Sequence, residues 1–312
     1  MPRPSSSQPA PTPARLRDRL VGALLGSAIG DALGMPVEGL SHSNVRTYYR
    51  GIKEMRADEK RGDLAAGQWT ADTQRARLVT RALTAATPDS PEEARIALHA
   101  ALDAAGPLRR GDVTVRPSSA PAACAAPLGV QARLRGLGSL AVARWAGLLL
   151  APIDPTPAAH VAAAAQAAAV GACLGRDVIT GPGLIAAALG TARDAERLLG
   201  ADARVSTRVA LVGGHLAAFP LDLQDLCRGT GSAADEAFPF ALAMVARGPD
   251  LLEATLLSAV NVGGDAAAVG SMAGALLGAI HGASAFPAEW LDALEDADAI
   301  RAEAEALADA LG

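Results

Sequence analysis

Glycine recurs at every fourth position in two segments of this chain, one near each end. Residues four apart lie on one face of an α-helix, so each segment predicts a helix with a ridge that carries no side chains. An interior glycine costs about 1 kcal/mol of helix stability relative to alanine, so a row of them needs a compensating interaction. The simplest such interaction is close approach of two helix backbones. We therefore expect each ridge to pack against another helix, and the two ridges are candidates to pack against each other. The alternative is that the glycines only reduce crowding in the core. The ridges are Gly22, Gly26, Gly30 and Gly34, and Gly270, Gly274 and Gly278.

The composition favours an all-α protein. Hydrophobic residues make up 50% of the 312-residue chain but aromatic residues only 3%, so the apolar content is mostly Ala and Leu. Both are strong helix formers, whereas β-branched and aromatic residues favour strands. A chain of this length buries enough surface to fold without disulfides. Cys124, Cys173 and Cys227 lack the spacing of a disulfide or zinc set, and we expect free thiols.

Charge and hydropathy patterning argue against two classes of partner. The net charge of −5 is unlike that of a protein that grips nucleic-acid phosphates. The longest apolar run, residues 266–280, is shorter than the ~20 residues that a membrane span needs. Residues 1–14 are rich in Pro, Ser and Ala without an apolar signal region, which predicts a disordered tail before a single domain at 15–312. We therefore expect a soluble, cytoplasmic protein with no nucleic-acid patch and no membrane segment.

Prolines and glycines divide the chain into helical segments, and no interdomain linker is evident. Residues 41–68 read as irregular with one short helix at most, and residues 108–127 as a long surface loop. The predicted helices are 13–33, 69–86, 91–105, 132–150, 156–174, 183–199, 206–218, 234–247, 249–260, 265–282 and 288–309.

Two of the predicted helix starts carry acidic and hydroxyl side chains. Thr70 and Asp72 begin one helix, and Asp265 begins another. Helix capping accounts for all three, since Thr and Asp are good N-caps and the helix dipole favours an acid in the first turn. If both starts face one cleft, however, their oxygens can ligate a hard cation such as Mg²⁺. Spacing alone leaves both interpretations open.

Two further acids follow the first glycine ridge. Asp31 lies near the end of its helix, where an acid opposes the helix dipole, and this position indicates a partner or a cation. Glu38 follows Pro36 in a turn. The alternative for each of these two acids is an ordinary solvent-exposed carboxylate.

A glycine-rich loop, Gly-Thr-Gly-Ser at residues 229–232, precedes the predicted helix at 234–247. Backbone N–H groups of such a loop can bind a phosphate, but a plain connecting loop has the same composition.

Taken together, these segments resemble the ADP-ribosylglycohydrolase family, which includes the dinitrogenase reductase activating glycohydrolases. The run GALLGSAIGDALGMPVEG at 22–39 is similar to the N-terminal motif of the family, and WTADTQ at 69–74 is similar to its Trp-Thr-Asp-Asp-Thr motif. NVGGD at 261–265, with the glycine-rich helix after it, resembles the Gly-Gly-Asp-Thr-Asp-Thr motif. Smaller features at 126–129 and 229–236 follow in the same order, and the resemblance spans residues 15–295.

The resemblance implies an all-α fold, a single-domain orthogonal multi-helix bundle whose cleft holds two divalent ions, usually Mg²⁺ and sometimes Mn²⁺. Members of the family hydrolyse the glycosidic bond that joins ADP-ribose to a side chain or a small acceptor, so ADP-ribose or an ADP-ribosylated substrate is the implied partner. By position, the resemblance implies catalytic acids at Glu38 and Asp31, metal ligands at Thr70, Asp72 and Asp265, and substrate contacts at Ser119, Gly129, Gly231 and Ser232.

The chain departs from the family pattern at its metal ligands. Ala71 and Ala267 stand where the family has Asp, and Ala268 where it has Thr, which leaves half of the ligand side chains. Alanine offers no side-chain oxygen. At ~4 Å and an effective dielectric of ~20, one pair of unit charges is worth about 4 kcal/mol before desolvation, so each lost carboxylate weakens metal binding. We therefore expect at most one weak ion site.

Three functions remain open from the sequence. The first is a family member with little or no metal-assisted hydrolysis, retained for binding ADP-ribose or another nucleotide. The second is an active metal-dependent hydrolase that uses one ion or ligands drawn from elsewhere, such as Asp31 or Glu38. The third is a structural or interaction protein, a role that some relatives have taken as lens crystallins.

Overall fold

The computed structural model describes residues 11–87, 89–110 and 115–312, and within these residues the regular structure is helical, as predicted. The predicted tail at 1–14 lies mostly outside the described residues, and the first helix includes its last two positions. The α-helices are α1 Pro13–Gly34, α2 His42–Asn44, α3 Ala71–Ala85, α4 Pro91–Ala105, α5 Ala120–Ala123, α6 Ala126–Leu134, α7 Ser139–Leu149, α8 Pro157–Leu174, α9 Gly181–Leu199, α10 Arg204–Gly213, α11 Pro220–Leu226, α12 Ala234–Arg247, α13 Leu252–Val260, α14 Ala266–His281, α15 Ala288–Ala293 and α16 Ala297–Leu311.

Helices α1 and α14 form the centre of the fold, and the two glycine ridges face each other. The helices run antiparallel, and a Cβ on any ridge glycine would lie closer than 3.0 Å to backbone of the opposite helix. The Ser27 and Ser271 hydroxyls share a hydrogen bond of 2.7 Å across the same interface. The expectation of close backbone approach is confirmed. The facing pairs are Gly22 with Gly278, Gly26 with Gly274, Gly30 with Gly270, and Gly34 with Ala266.

Two helices of the core, α1 and α8, are long and apolar enough to cross a membrane by length and composition. The apolar window of α1 is 100% buried within the protein and that of α8 is 72% buried. Central helices of a globular core pass the same test, because they contact apolar neighbours on nearly every face. Burial between other helices therefore accounts for their hydropathy.

Three predicted helices are wrong in extent because local breaks interrupt them. The prediction 132–150 covers two helices, α6 and α7, and Gly136 with φ of 61° ends the first of them. The prediction 288–309 likewise covers α15 and α16, which are separated at Asp296 with φ of 59°. The helix predicted at 206–218 ends earlier, at Gly213, and the next helix, α11, has no counterpart among the predicted helices. A left-handed residue is a common helix terminator, and only the glycine at 136 carried a recognisable signal for it.

The predicted surface loop at 108–127 is wrong for its second half. Residues 118–127 are buried and contain α5 and the start of α6. Asp154 holds this segment in place, since its carboxylate accepts hydrogen bonds from the Ser118 amide and hydroxyl at 2.9 and 2.7 Å. Its first half includes residues 111–114, which lie outside the described part of the chain.

We expect Gly274→Ala to lower the free energy of unfolding by about 3 kcal/mol or more, because its Cβ would overlap the Gly26 carbonyl and backbone cannot yield as a side chain can. Gly190→Ala is the matched control, since a Cβ on this exposed helical glycine in α9 would have nothing within 4 Å. There the exchange should stabilise by up to about 1 kcal/mol. Urea unfolding of both variants checks this, and equal effects would contradict a tight α1–α14 contact.

Candidate functional site

Four carboxylates meet where α1 ends and where α3 and α14 begin. They are Asp31, Glu38, Asp72 and Asp265, called the acidic cluster below. Burial raises the pKa of Asp72 well above its usual value, and the charges of the other three carboxylates raise it further. The antiparallel packing of α1 on α14 explains the meeting, since it puts the last turn of one helix beside the first turn of the other. The two helix starts singled out in the sequence therefore do face one place.

Asp31 caps α3 from outside that helix. Its carboxylate is fully buried and accepts hydrogen bonds from the Thr70 amide at 3.1 Å, the Thr73 amide at 2.9 Å and the Thr73 hydroxyl at 2.7 Å. Burial raises the pKa of Asp31, and these hydrogen bonds from Thr73 and Thr70 lower it. Thr70 is itself the N-cap, with its hydroxyl accepting from the Asp72 amide at 3.3 Å. The capping interpretation of this helix start is confirmed.

Trp69 anchors the start of α3 from the other side. Its indole N–H donates to the Glu295 carbonyl at 3.1 Å. Arg109 and Arg77 lie over its ring at 4.3 and 5.6 Å from the ring centroid, within the range of cation–π attraction. The tryptophan of the motif thus has a structural role beside the cluster.

Asp265 begins α14 and is held by the buried segment around α5, for which the sequence predicts a surface loop. The Ser119 hydroxyl donates to Asp265 Oδ2 at 2.7 Å. A β-bridge between Ser118 and Ala233 sets Ser119 beside Ser232, with the Ser119 amide donating to the Ser232 carbonyl at 2.8 Å. Burial raises the pKa of Asp265, while hydrogen bonds from the hydroxyls of Ser119 and Ser232 lower it. Both serines predicted to contact substrate therefore flank this carboxylate.

Asp72 is paired with an arginine that the sequence analysis did not single out. Arg75 Nη1 lies 3.3 Å from Asp72 Oδ1, and Arg75 is only 5% exposed. The i,i+3 spacing of acid and arginine was visible in the sequence, but such pairs are typical of exposed helix surfaces. Only the tertiary packing shows that this pair is buried in the cluster.

Glu38 lies in a turn tied to the start of α14. The Gly39 amide donates to the Gly264 carbonyl at 2.7 Å, and the Gly264 amide donates to the Leu40 carbonyl at 2.8 Å. Burial raises the pKa of Glu38 to about 7, helped by the charges of Asp265 and Asp31. A carboxyl group that titrates near neutrality can accept or donate a proton at physiological pH.

Two arginines reach Glu38 without a close hydrogen bond. Arg61 and Arg110 each place a guanidinium nitrogen 3.7 Å from Glu38 Oε2. Arg110 is held by Asp58 at 2.6 Å and by Asp63. Among the described residues, Oε2 is buried with no hydrogen-bond partner, so Glu38 is the least satisfied acid of the cluster.

Two of the predicted substrate contacts have other partners. Gly129 lies in α6 against α8, where a Cβ would come within 2.6 Å of Val170, so helix packing accounts for this glycine. The Gly231 amide donates to Glu236 Oε2 at 3.2 Å. This N–H is therefore engaged by a side chain of α12, and phosphate binding by the 229–232 loop stays a prediction.

The residues present do not fit the pair of divalent ions that the resemblance implies. Ala71, Ala267 and Ala268 are buried at the two helix starts and bring no side-chain oxygen. The remaining candidate ligands are engaged by protein donors, Asp72 by Arg75 and Asp265 by Ser119. Among the described residues, no group of three or more His, Cys, Asp or Glu side chains is arranged to hold a metal.

Replacing Asp31 should test its capping role. We expect Asp31→Asn to lower the free energy of unfolding by about 3 kcal/mol, because the amide NH₂ cannot accept from the buried donors of Thr73. Asp18 in the same helix accepts from the Ser284 amide and hydroxyl near the surface, so Asp18→Asn should cost about 1 kcal/mol or less. Chemical unfolding compares them, and similar costs would argue against a buried cap.

The raised pKa of Glu38 makes stability depend on pH. The folded state retains a proton that the unfolded state releases above pH 4.5, so this residue destabilises the fold increasingly between pH 4.5 and about 7. We expect Glu38→Gln to remove that loss, gaining up to about 3 kcal/mol on the wild type across this range and nothing more above it. Unfolding at several pH values measures the difference, and a constant difference would contradict the assignment.

Comparison with known proteins agrees with this architecture. A family model described as ADP-ribosylglycohydrolase matches residues 12–312. Among solved structures, one named as an ADP-ribosylglycohydrolase-related protein complex is similar over 96% of this chain and 100% of its own, with a TM-score of 0.73 and 25% sequence identity. A sequence comparison with curated proteins found no match. Because the family model covers nearly the whole chain, this protein belongs to the ADP-ribosylglycohydrolase family.

Proposed function

We propose that this protein is a family member with a degenerate dinuclear metal site, in which hydrolysis of ADP-ribosyl bonds is weak or lost and the cleft is retained to bind ADP-ribose or a related nucleotide. The observation that carries the proposal is that the remaining candidate metal ligands are already engaged by other side chains of the protein. Asp72 is paired with Arg75 and Asp265 accepts from Ser119, while Ala71 and Ala267 supply only methyl groups. A dication would have to displace these protein donors and would gain few oxygens in return.

Glu38 and the two serines beside Asp265 support retained binding of a nucleotide. Glu38 has an unused carboxylate oxygen, and Ser119 and Ser232 carry hydroxyls beside Asp265. Sugar hydroxyls can donate to the free Glu38 oxygen and to the serine hydroxyl oxygens, whose own protons are directed at Asp265, so a ribose fits this acceptor set without a metal.

A second candidate is a hydrolase that works with a reduced ligand set. The observation in its favour is Glu38, whose pKa of about 7 suits a general acid or base. In this alternative Glu38 activates a water at the glycosidic carbon, and the same experiment distinguishes it from the first.

The test compares the wild type with Ala71→Asp/Ala267→Asp/Ala268→Thr. We expect the wild type to bind ADP-ribose in calorimetry, to give negligible heat with Mg²⁺ or Mn²⁺, and to leave ADP-ribosylated arginine and serine intact. The triple variant restores two carboxylates and should bind Mn²⁺ about 10-fold more tightly or better.

The matched control is Ala71→Asn/Ala267→Asn/Ala268→Thr, which has the same side-chain shapes without the charges. It should bind Mn²⁺ no better than the wild type. Tight two-site metal binding by the wild type, or cleavage at the rate of the triple Asp variant, would overturn the proposal. Metal-independent cleavage abolished by Glu38→Gln would favour the second candidate, and absence of ADP-ribose binding would remove the retained binding role.

A further inference from the structure

One buried cation beside the acidic cluster has no place in the ligand set that the resemblance implies. Arg75 lies in α3 one turn after Asp72, and only 5% of its surface is exposed. Burying a charge costs a large free energy unless the charge is paired. Its Nη1 lies 3.3 Å from Asp72 Oδ1, so a carboxylate of the cluster is among its partners.

The charge of Arg75 acts on more than its own helix. Burial raises the pKa of Asp265 and of the Cys124 thiol, and the Arg75 charge works against burial in both. Asp265 begins α14 and Cys124 follows α5, so the Arg75 charge acts on groups of two elements besides α3. Ala71, Ala267 and Ala268 at the starts of α3 and α14 are buried like Arg75 and bring no charge that could pair with it.

We propose that the Arg75 guanidinium is the resident cation of the acidic cluster, balancing the carboxylates of two helix starts in place of divalent ions. The inference rests on the proposed degenerate metal site and adds the residue that makes the cluster stable without metal. A guanidinium remains charged at all physiological pH and presents a fixed set of donors. It therefore satisfies Asp72 permanently, and it repels a dication that approaches the same carboxylates.

The alternative is that Arg75 and Asp72 form a structural ion pair that does not affect metal binding. The two interpretations differ in what removal of the charge does. If Arg75 only stabilises α3, its loss weakens the fold and nothing else. If it occupies the cation position, its loss leaves buried carboxylates that a divalent ion can then neutralise.

The experiment measures the thermal unfolding of Arg75→Met, Arg75→Lys and the wild type, each in metal-free buffer and with millimolar Mn²⁺. Methionine keeps much of the side-chain volume without the charge, and lysine keeps the charge. We expect Mn²⁺ to raise the Tm of Arg75→Met by about 5 °C, through preferential binding to the folded state, and to leave the Tm of the wild type and Arg75→Lys unchanged.

Arg19→Met is the matched control for loss of a buried arginine. Arg19 is 1% exposed in α1, and it donates to the carbonyls of Arg176 and Asp177, at the opposite end of α1 from Asp31. This variant should be destabilised and should show no response to Mn²⁺. A response equal to that of Arg75→Met would mark the effect as nonspecific and overturn the proposal.

The remaining outcomes for Arg75→Met also test the proposal. If Arg75→Met folds and Mn²⁺ does not raise its Tm, the proposal is wrong. If the variant does not fold without metal, Mn²⁺ must restore its folding, and a chain that stays unfolded with Mn²⁺ equally overturns the proposal. The proposed function fails on separate evidence, namely tight metal binding or metal-dependent cleavage by the wild type, so the two failures are distinguishable.

Discussion

The close backbone contact between α1 and α14 is the constraint on which the rest of the structure depends. Because neither helix has side chains on the shared ridge, the two backbones approach within the space that a Cβ would occupy. The antiparallel arrangement then brings Asp31, in the last turn of α1, to the level at which α14 begins with Asp265. Any larger residue on the ridge would separate the helices and with them the two carboxylates. The glycines thus position the candidate site as well as the core.

The acidic cluster at that junction is stabilised by the protein's own donors. Asp31 accepts from the start of α3, Asp265 accepts from Ser119, and Asp72 is paired with Arg75. Each arrangement lowers the cost of a buried carboxylate, which would otherwise be large. Glu38 is the exception, because its nearest cations stay at 3.7 Å and burial leaves its pKa at about 7. Glu38 is thus the one acid of the cluster with a buried oxygen that no described donor engages.

Much of the fold could be predicted because its signals are local. The spacing of Gly22 to Gly34 predicts α1, and the helix predicted at 91–105 coincides with α4, which Ser90 caps. The errors arose where a tertiary contact overrides local composition. Residues 118–127 read as a proline-rich surface loop, yet they are buried because Asp154, far along the chain, accepts hydrogen bonds from Ser118. The break at Asp296 could not be predicted, since a left-handed aspartate has no distinctive sequence signal.

Residue types and their spacing are enough to predict the helical class and the family resemblance. They also establish that Ala71, Ala267 and Ala268 have no side-chain oxygen, because residue identity alone decides whether a side chain can offer one. Which donors each carboxylate of the cluster meets depends instead on the packing of the helices. Arg75 is three residues from Asp72 on any helix, but whether that pair lies in solvent or inside a cluster of acids depends on how α3 packs against α1 and α14. Pairing in a cluster of this kind is set by distances between segments remote in the chain, and those distances exist only once the helices have packed.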